Sequence, residues 1–234
     1  MSEAKVCVVA GVGPGNGAAL TRRFAAGGYR VAMLARSVDR LEALEKEISG
    51  AIAYPTDLTD RSAVEDVFQR IANDLGAPHV LVHNAAAGAF KTFMELDPET
   101  LEHTFRTNTM SLLHCGQAAG RPMLERGSGA IIITGNTSAR RGLANFAGFA
   151  PTKAAQRILA QAMARSLGPQ GIHVAYVIID AVIDLEWTRK RMPEKPDDFF
   201  IQPAAIAETV WHLAHQDRSA WSFEVDLRPF GEKW

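Results

Sequence analysis

Short apolar runs alternate with stretches of helical periodicity along most of the chain. Apolar and β-branched runs predict strands at residues 5–10, 29–37, 51–54, 80–82, 172–179 and 221–227, with another beginning at Ile131. Apolar positions three and four residues apart predict helices at 18–26, 38–48, 62–75, 98–126, 151–167 and 203–215. This alternation predicts an α/β fold in which one doubly wound parallel sheet carries helices on both faces.

The composition narrows the class of partner. The chain has 234 residues, of which 47% are hydrophobic, so it can bury one sizeable core. We find no internal repeat or interdomain linker and expect residues 1–234 to form a single domain. The 25 basic and 26 acidic residues give a net charge of -1. That balance argues against nucleic acid and anionic membranes as partners, and it favours a small-molecule substrate.

The cysteines and the apolar runs bear on the cellular compartment. Cys7 falls in a predicted strand and Cys115 in a predicted helix, without metal-ligand spacing, so we expect buried reduced thiols and no metal. The N-terminal apolar run is too short for a signal peptide, and no segment approaches the roughly 18 apolar residues of a membrane span. We therefore expect a soluble, cytoplasmic protein.

A glycine-rich loop follows the first predicted strand and leads into the first predicted helix. It contains Gly11, Gly15, Asn16 and Gly17. Glycine lets the backbone approach a pyrophosphate without a Cβ in the way, and a helix N-terminus offers free N–H groups and the positive end of its dipole. The loop predicts a site for dinucleotide phosphates, with a tight turn that binds nothing as the alternative.

The stretch from Ile131 to Ala155 carries the strongest chemical signal. It resembles the active-site segment of the short-chain dehydrogenase/reductase family, in which a Ser is followed thirteen residues later by a Tyr and four residues after that by a Lys. Lys153 keeps the lysine, whereas Phe149 stands at the tyrosine position and Asn136 at the serine position. The resemblance implies a Rossmann fold that binds NAD(P) and an active site without its usual proton donor.

The tip of the second predicted strand bears on the choice of dinucleotide. In this family, NAD-preferring members place an acid there to accept hydrogen bonds from the ribose. The present chain has Ala35 followed by Arg36 and Ser37, which suit a 2′-phosphate. The resemblance therefore implies NADP, with NAD less favoured. A solvated charge at a strand end is the alternative for Arg36.

The turn after the third predicted strand contains Asp57 and Leu58. The family uses an Asp at this turn to hold the adenine amine. The resemblance therefore implies a cofactor role for Asp57 and Leu58. Asp57 could equally cap the helix that begins near Arg61, and the sequence does not separate these two interpretations.

Two further segments match the family's pattern. Asn84 and Ala85 correspond to the middle of its Asn-Asn-Ala-Gly segment, and the resemblance implies that Asn84 braces the central strands, whereas His83 is a departure. Asn108 matches the family's helix asparagine, which supports a water-bridged path from the active lysine. A purely structural helix kink is the alternative for Asn108, because a buried Asn needs hydrogen-bond partners.

The segment after the sixth predicted strand departs most from the family. Relatives have Pro, Gly and Thr where this chain has Asp180, Ala181 and Leu185, so the side-chain support of the nicotinamide amide is lost. The backbone of Ile183 is still expected to contact that amide. Residues 185–203 stand at the position of the family's mobile substrate lid, and their pattern does not identify a substrate.

The C-terminal segment suggests assembly. A predicted strand at 221–227 leads to an aromatic tail that ends at Trp234, and relatives pair such strands or tails between subunits. We therefore expect a homo-oligomer, either a dimer or a tetramer. Packing of this segment onto the chain's own core is the alternative.

Phe149 cannot donate a proton, so ordinary ketone reduction needs another donor. Lys153, Asn136 and a water on Asn108 are the nearest candidates, while His83 and an acid within 180–184 are less supported. Tyr176 does not replace the missing tyrosine, because its position in the middle of a predicted strand indicates burial.

Three functions are compatible with the altered site. The first is an NADP-dependent oxidoreductase that acts on a small carbonyl, imine or related substrate. The second is a dinucleotide-binding sensor or subunit without turnover. The third is a non-redox lyase on the same scaffold. The intact glycine loop and Lys153 favour the first two, because a lyase would have less need of the cofactor loop.

Overall fold

The computed structural model describes residues 4–231. Its strands are β1 Val6–Ala10, β2 Arg30–Ala35, β3 Ala51–Pro55, β4 Pro78–His83, β5 Gly129–Asn136, β6 Ile172–Ile179, β7 Val182–Ile183, β8 Phe200–Ile201 and β9 Glu224–Leu227. Within the described range, seven of them form one sheet in the order β3-β2-β1-β4-β5-β6-β9, and neighbouring strands run parallel. Strands β7 and β8 form a separate parallel pair.

Helices cover both faces of the sheet. They are α1 Asn16–Ala26, α2 Val38–Glu47, α3 Arg61–Leu75, α4 Pro98–Phe105, α5 Ser111–Arg126, α6 Ala150–Leu167, α7 Glu186–Arg191 and α8 Pro203–Ala214. The predicted doubly wound parallel sheet with helices on both faces is confirmed. Within residues 4–231, no helix is both long and apolar enough to span a membrane.

Two apolar cores lie on opposite sides of the sheet because successive side chains of a strand point to opposite faces. Val8 of β1 packs in one core with Leu112 of α5. Val9, the next residue, packs in the other core with Leu20 of α1 and Ile206 of α8. All five of these residues are fully buried. The central strands are therefore apolar on both faces, as parallel strands between two helix layers require.

The helical stretch predicted for residues 98–126 is continuous, but it contains a π-helical turn that the sequence pattern did not indicate. Helix α4 ends at Phe105, a π-helical turn spans Arg106–Met110, and α5 begins at Ser111. The Ser111 N–H donates to the carbonyl of Arg106, five residues earlier, which widens the helix by one residue. The bulge contains Asn108, and such turns are frequent at functional sites.

The C-terminal strand belongs to the chain's own sheet. Strand β9 begins at Glu224, later than the predicted start, and pairs in parallel with β6 from Tyr176 onward. Arg157 of α6 and Arg140 both bind the Glu224 carboxylate, which fixes this edge. Strand β9 thus packs onto the chain's own core, which was the alternative to pairing between subunits. Trp234 lies outside the described residues, and the expected homo-oligomer stays a prediction.

Candidate functional site

A cleft opens at the carboxyl ends of the central strands. From β1 the sheet is built outward on one side by β2 and β3 and on the other side by β4, β5 and β6. The connections therefore leave β1 and β4 in opposite directions, and this reversal of strand order leaves a crevice. The crevice has a volume of about 660 Å³. Its lining includes the following predicted site residues: Gly11, Gly15, Asn16, Gly17, Arg36, Ser37, Asp57, Leu58, Asn84, Ala85, Asn136, Phe149, Lys153 and Ile183. The predicted Asn108 is not in this lining, although its neighbour Thr107 is.

The glycine loop is shaped by close backbone contacts. Gly11 has φ of 98°, and a Cβ on it would lie 2.4 Å from the backbone nitrogen of Ala85. A Cβ on Gly17 would lie 2.6 Å from the Cα of Val12. Helix α1 then begins at Asn16, whose side-chain Oδ1 is buried and has no hydrogen-bond partner among the described residues. The loop therefore lies backbone to backbone against its neighbours at Gly11 and Gly17, and the Asn16 amide oxygen is buried without a partner.

The turn after β3 separates the two roles considered for Asp57. Asp60 is the N-cap of α3, because its Oδ1 accepts from the N–H groups of Ser62 at 2.9 Å and Ala63 at 3.2 Å. The helix-cap interpretation of Asp57 is therefore wrong. Asp57 instead accepts from the backbone N–H of Thr59, which is the largest cause of its lowered pKa.

Asn84 ties three strand ends together. Its Nδ2 donates to the carbonyl of Gly11 at 2.8 Å, and its Oδ1 accepts from Thr134 Oγ1 at 2.9 Å. These bonds join the ends of β1, β4 and β5, which frame the cleft. The backbone of the neighbouring Ala85 packs directly against Gly11.

His83 does not have the properties of a proton donor to the cleft. The side chain is fully buried, and Nε2 lies 2.8 Å from Ser111 Oγ. Ser111 donates its own proton to the carbonyl of Thr107. Burial lowers the pKa of His83 to about 3, and the nearby charge of Lys153 acts in the same direction. His83 is therefore neutral at physiological pH.

Asn136, Phe149 and Lys153 all line the cleft. Strand β5 ends at Asn136, and Phe149 immediately precedes α6, with its carbonyl accepting from the N–H of Lys153 at 3.1 Å. Phe149 is 6% exposed, and its ring packs edge-on against Phe90 and at a tilt against Phe146. Asn136 Oδ1 is buried, and no described residue donates to it.

Lys153 is a buried amine in the wall of the cleft. It is 2% exposed, and Nζ donates to the carbonyl of Thr134 at 3.2 Å and to Gln156 Oε1 at 2.5 Å. Burial lowers the pKa of Lys153 to about 7, because a charged ammonium is poorly solvated there. A lysine with that pKa can exchange a proton near neutral pH.

Asn108 is fully occupied by bonds within the protein. Its side chain accepts from the N–H of Ala87 at 2.8 Å and donates to Ala87 O at 3.0 Å and Thr152 Oγ1 at 2.8 Å. Its backbone carbonyl accepts from Gln156 Nε2 at 2.7 Å. Gln156 was not among the predicted site residues. The available signal was a polar residue one helical turn after Lys153, on the apolar face of α6.

Tyr176 lies in the core and not at the reacting end of the cleft. The side chain is fully buried, its hydroxyl donates to Gln156 Oε1 at 3.3 Å, and burial raises its pKa. A Cβ on Gly135 would lie 2.2 Å from the ring, so Gly135 provides the space that Tyr176 fills. Tyr176 therefore does not take the place of the missing tyrosine.

The segment after β6 closes one side of the cleft. Leu185 packs so tightly on the glycine loop that a Cβ on Gly15 would lie 2.2 Å from its Cδ2. Arg189 of α7 anchors the segment, since its Nε donates to Asp184 at 2.7 Å and its Nη1 to Asp197 at 2.6 Å. The ion pair with Arg189 lowers the pKa of Asp184, so this acid is charged and engaged.

A second cleft of about 960 Å³ lies between α1, α7 and α8. Its basic residues are neutralised, because Arg22 pairs with Glu47, Arg23 with Glu208, and Lys190 with Glu186. This cleft therefore offers little free positive charge to an anionic ligand. Within residues 4–231, no group of three His, Cys, Asp or Glu side chains is arranged to hold a metal.

The sequence model of the short chain dehydrogenase family matches residues 5–193. The chain belongs to the short-chain dehydrogenase family. Among curated members, an uncharacterized oxidoreductase of Thermotoga maritima is 29% identical over 223 residues, which cover 92% of this chain and 87% of that protein. A cyclic-di-GMP-binding biofilm dispersal mediator protein of Escherichia coli is 35% identical over 175 residues, covering 74% and 71%.

A solved short-chain dehydrogenase structure reproduces the whole fold. It is a metagenomic short-chain oxidoreductase in complex with NADP, 26% identical to this chain, with a TM-score of 0.86. The superposition covers 98% of this chain and 99% of that one. The family and the fold inferred from the sequence are thus confirmed.

Proposed function

We propose that the protein is an NADP-dependent oxidoreductase that acts on a small carbonyl, imine or related substrate through Asn136, Phe149 and Lys153. The observation that carries this proposal is the position of Lys153, whose buried amine lies in the cleft wall at the end formed by the other two residues. The NADP in the related metagenomic oxidoreductase supports a nicotinamide dinucleotide as the cofactor.

The cleft has the shape and polarity that a dinucleotide requires. Gly11 and Gly17 carry no Cβ at two points where the loop's backbone approaches other backbone atoms. Helix α1 begins at Asn16 within this loop, so the positive end of its dipole lies there. Arg36 supplies positive charge at the opposite end of the cleft. We propose as cofactor-binding residues Gly11, Gly15, Asn16, Gly17, Arg36, Ser37, Asp57, Leu58, Asn84, Ala85, Lys153 and Ile183.

When bound, the nicotinamide ring supplies or accepts a hydride. Reduction of a carbonyl also needs a proton at its oxygen, and Phe149 has none to give. Lys153 can donate that proton, because its pKa of about 7 leaves part of it charged at neutral pH. Asn136 can donate an amide N–H to the same oxygen. An iminium substrate would need no proton at this stage, so the site also suits imines.

A binding role without turnover is the second candidate. No tyrosine is among the described residues that line the cleft, and its acidic lining residue is Asp57 at the turn after β3. The Escherichia coli relative is named as a cyclic-di-GMP-binding protein, which supports a binding role as the second candidate. In that case Lys153 and the glycine loop would hold a dinucleotide whose presence is sensed by a partner.

We also propose that residues 185–203 form the substrate lid of a single domain spanning residues 1–234. Leu185 and Trp187 line the cleft from this segment, and the Arg189 ion pairs hold its base. A lid of this kind would exclude water from the reacting end.

The preference for NADPH over NADH is expected to be about tenfold or more. A charge-assisted bond from Arg36 to the 2′-phosphate contributes about 1.5–3 kcal/mol, which NADH cannot gain. Isothermal titration with both nucleotides measures the ratio. Arg36→Ala should abolish most of the preference for NADPH. Arg165→Ala should leave that preference unchanged, because Arg165 is an exposed arginine near the C-terminal end of α6. Equal affinities in the unmodified protein would contradict the assignment.

Turnover separates the two candidate functions. We expect NADPH oxidation with at least one member of a panel of small carbonyl, imine and enone compounds, and loss of that activity in Lys153→Ala. Tight NADPH binding together with an inert panel would favour the binding role instead.

A further inference from the structure

Gln156 is a buried polar residue that contacts the functional lysine. It lies one turn after Lys153 on α6 and is fully buried. Its side chain makes three hydrogen bonds: Nε2 donates to the carbonyl of Asn108 at 2.7 Å, and Oε1 accepts from Lys153 Nζ at 2.5 Å and Tyr176 Oη at 3.3 Å. Both ends of the amide are therefore satisfied.

The orientation of this amide is fixed by its partners. The carbonyl of Asn108 can only accept a hydrogen bond, so the NH₂ group of Gln156 must face it. The carbonyl oxygen of Gln156 then necessarily faces Lys153. Asn108 lies within the π-helical turn at Arg106–Met110. The Asn108 carbonyl, which belongs to this turn, thus determines which atom of Gln156 the lysine contacts.

An acceptor at this position has a specific electrostatic effect. A buried ammonium has lost the hydrogen bonds of water, and each acceptor that replaces them favours the charged form. Thr134 O and Gln156 Oε1 are the two acceptors that Lys153 contacts. Among the described residues, His83 on β4 interacts electrostatically with Lys153 and is neutral, and Tyr176 on β6 directs its proton at Gln156. Gln156 therefore has the position and polarity to control the protonation of Lys153.

We propose that Gln156 is a positioning residue: its amide oxygen fixes Lys153 Nζ in the wall of the cleft and sets the pH at which the lysine is charged. This inference deepens the proposed function, because it names the residue that keeps Lys153 able to give a proton. The orientation of Gln156 by Asn108 links the lysine to the helix bulge without a water bridge.

The test is a direct titration of Lys153 in the cofactor-free protein. With lysines labelled at Cε with ¹³C, the shift of the Lys153 signal, assigned by its absence in Lys153→Arg, gives the pKa. Gln156→Met has a similar length and no strong acceptor, so the pKa should fall by about one pH unit. Gln156→Glu places a negative charge beside the ammonium and should raise it by about 1–3 units.

Tyr176→Phe is the matched control. It disturbs the same buried cluster and removes one bond to Gln156, but it leaves the contact between Lys153 and Gln156 Oε1 in place. The pKa of Lys153 should stay within a few tenths of the unmodified value. A shift in Tyr176→Phe as large as that in Gln156→Met would attribute the effect to packing and overturn the proposal. So would an unchanged pKa in both Gln156 variants.

A second measurement relates the titration to binding. NADPH affinity should be measured from pH 6 to pH 9 in the unmodified protein and in Gln156→Glu. The pH range over which the affinity changes should lie higher in the variant, by the same amount as the measured pKa of Lys153. The titration itself requires neither NADPH nor turnover. A protein that binds no NADPH but shows the expected pKa changes would contradict the proposed function and leave the role of Gln156 supported.

Discussion

Phe149→Tyr combined with Asn136→Ser is expected to raise the reduction of simple ketones at least tenfold over the unmodified protein. The variant restores the family's proton donor four residues before Lys153, with the carbonyl of Phe149 already bonded to the Lys153 N–H. A phenol near the ammonium should have a lowered pKa and donate its proton more readily. General acid catalysis contributes roughly 10²–10⁴ in rate. The gain should stay nearer the lower limit, because Asp180–Leu185 lacks the family's support for the nicotinamide.

Steady-state NADPH oxidation with a panel of small ketones measures this gain. The matched control adds Lys153→Ala to the double variant, which should remove most of the increase because the phenol loses its cationic neighbour. Phe149→Tyr adds only a hydroxyl, and the ring already borders the cleft. If the double variant folds and binds NADPH normally but gains nothing on any ketone, the assignment of Asn136 and Phe149 to the catalytic positions is wrong.

The fold could be predicted because its signals are repeated and local. Each central strand is an apolar run buried on both faces, and each helix that follows has one apolar side, so the alternation alone specifies the layers. The spacing from Asn136 to Phe149 and Lys153 likewise survives in the sequence, because the strand end and the helix start that hold them are continuous in the chain.

The parts that could not be predicted depend on contacts between distant segments. Gln156 gains its role from Asn108, 48 residues away, and from Tyr176, 20 residues away, and no spacing rule records such partners. The bulge at Asn108 leaves the helical periodicity almost unchanged, so the sequence pattern predicts one continuous helix. Asp57 and Asp60 both precede α3, and only the bonds to Ser62 and Ala63 show which one caps it.

Gly11→Ala is expected to destabilise the protein by about 3 kcal/mol or more, which is over a hundredfold in the folding equilibrium. Gly11 has φ of 98°, a conformation that costs an L-residue roughly 1–2 kcal/mol. The added methyl group would also lie 2.4 Å from the backbone nitrogen of Ala85, which follows the end of β4. Overpacking of this kind costs about 1–3 kcal/mol. Backbone cannot rotate aside as a flexible side chain can, and Asn84 holds it by a bond to Gly11 itself.

Urea denaturation followed by circular dichroism, without any nucleotide, measures this loss. Gly13→Ala is the matched control in the same loop, because its Cβ would meet nothing within 4 Å among the described residues. That variant should unfold within about 1 kcal/mol of the unmodified protein, the range expected for a change that creates no contact. In thermal unfolding, the Gly11 variant should melt about 6–12 °C lower, since 1 kcal/mol corresponds to about 2–4 °C in a chain of this size. Equal stability of the two variants would show that the loop can move away from β4, and the close approach of Gly11 to Ala85 would then not be a structural requirement of the cleft.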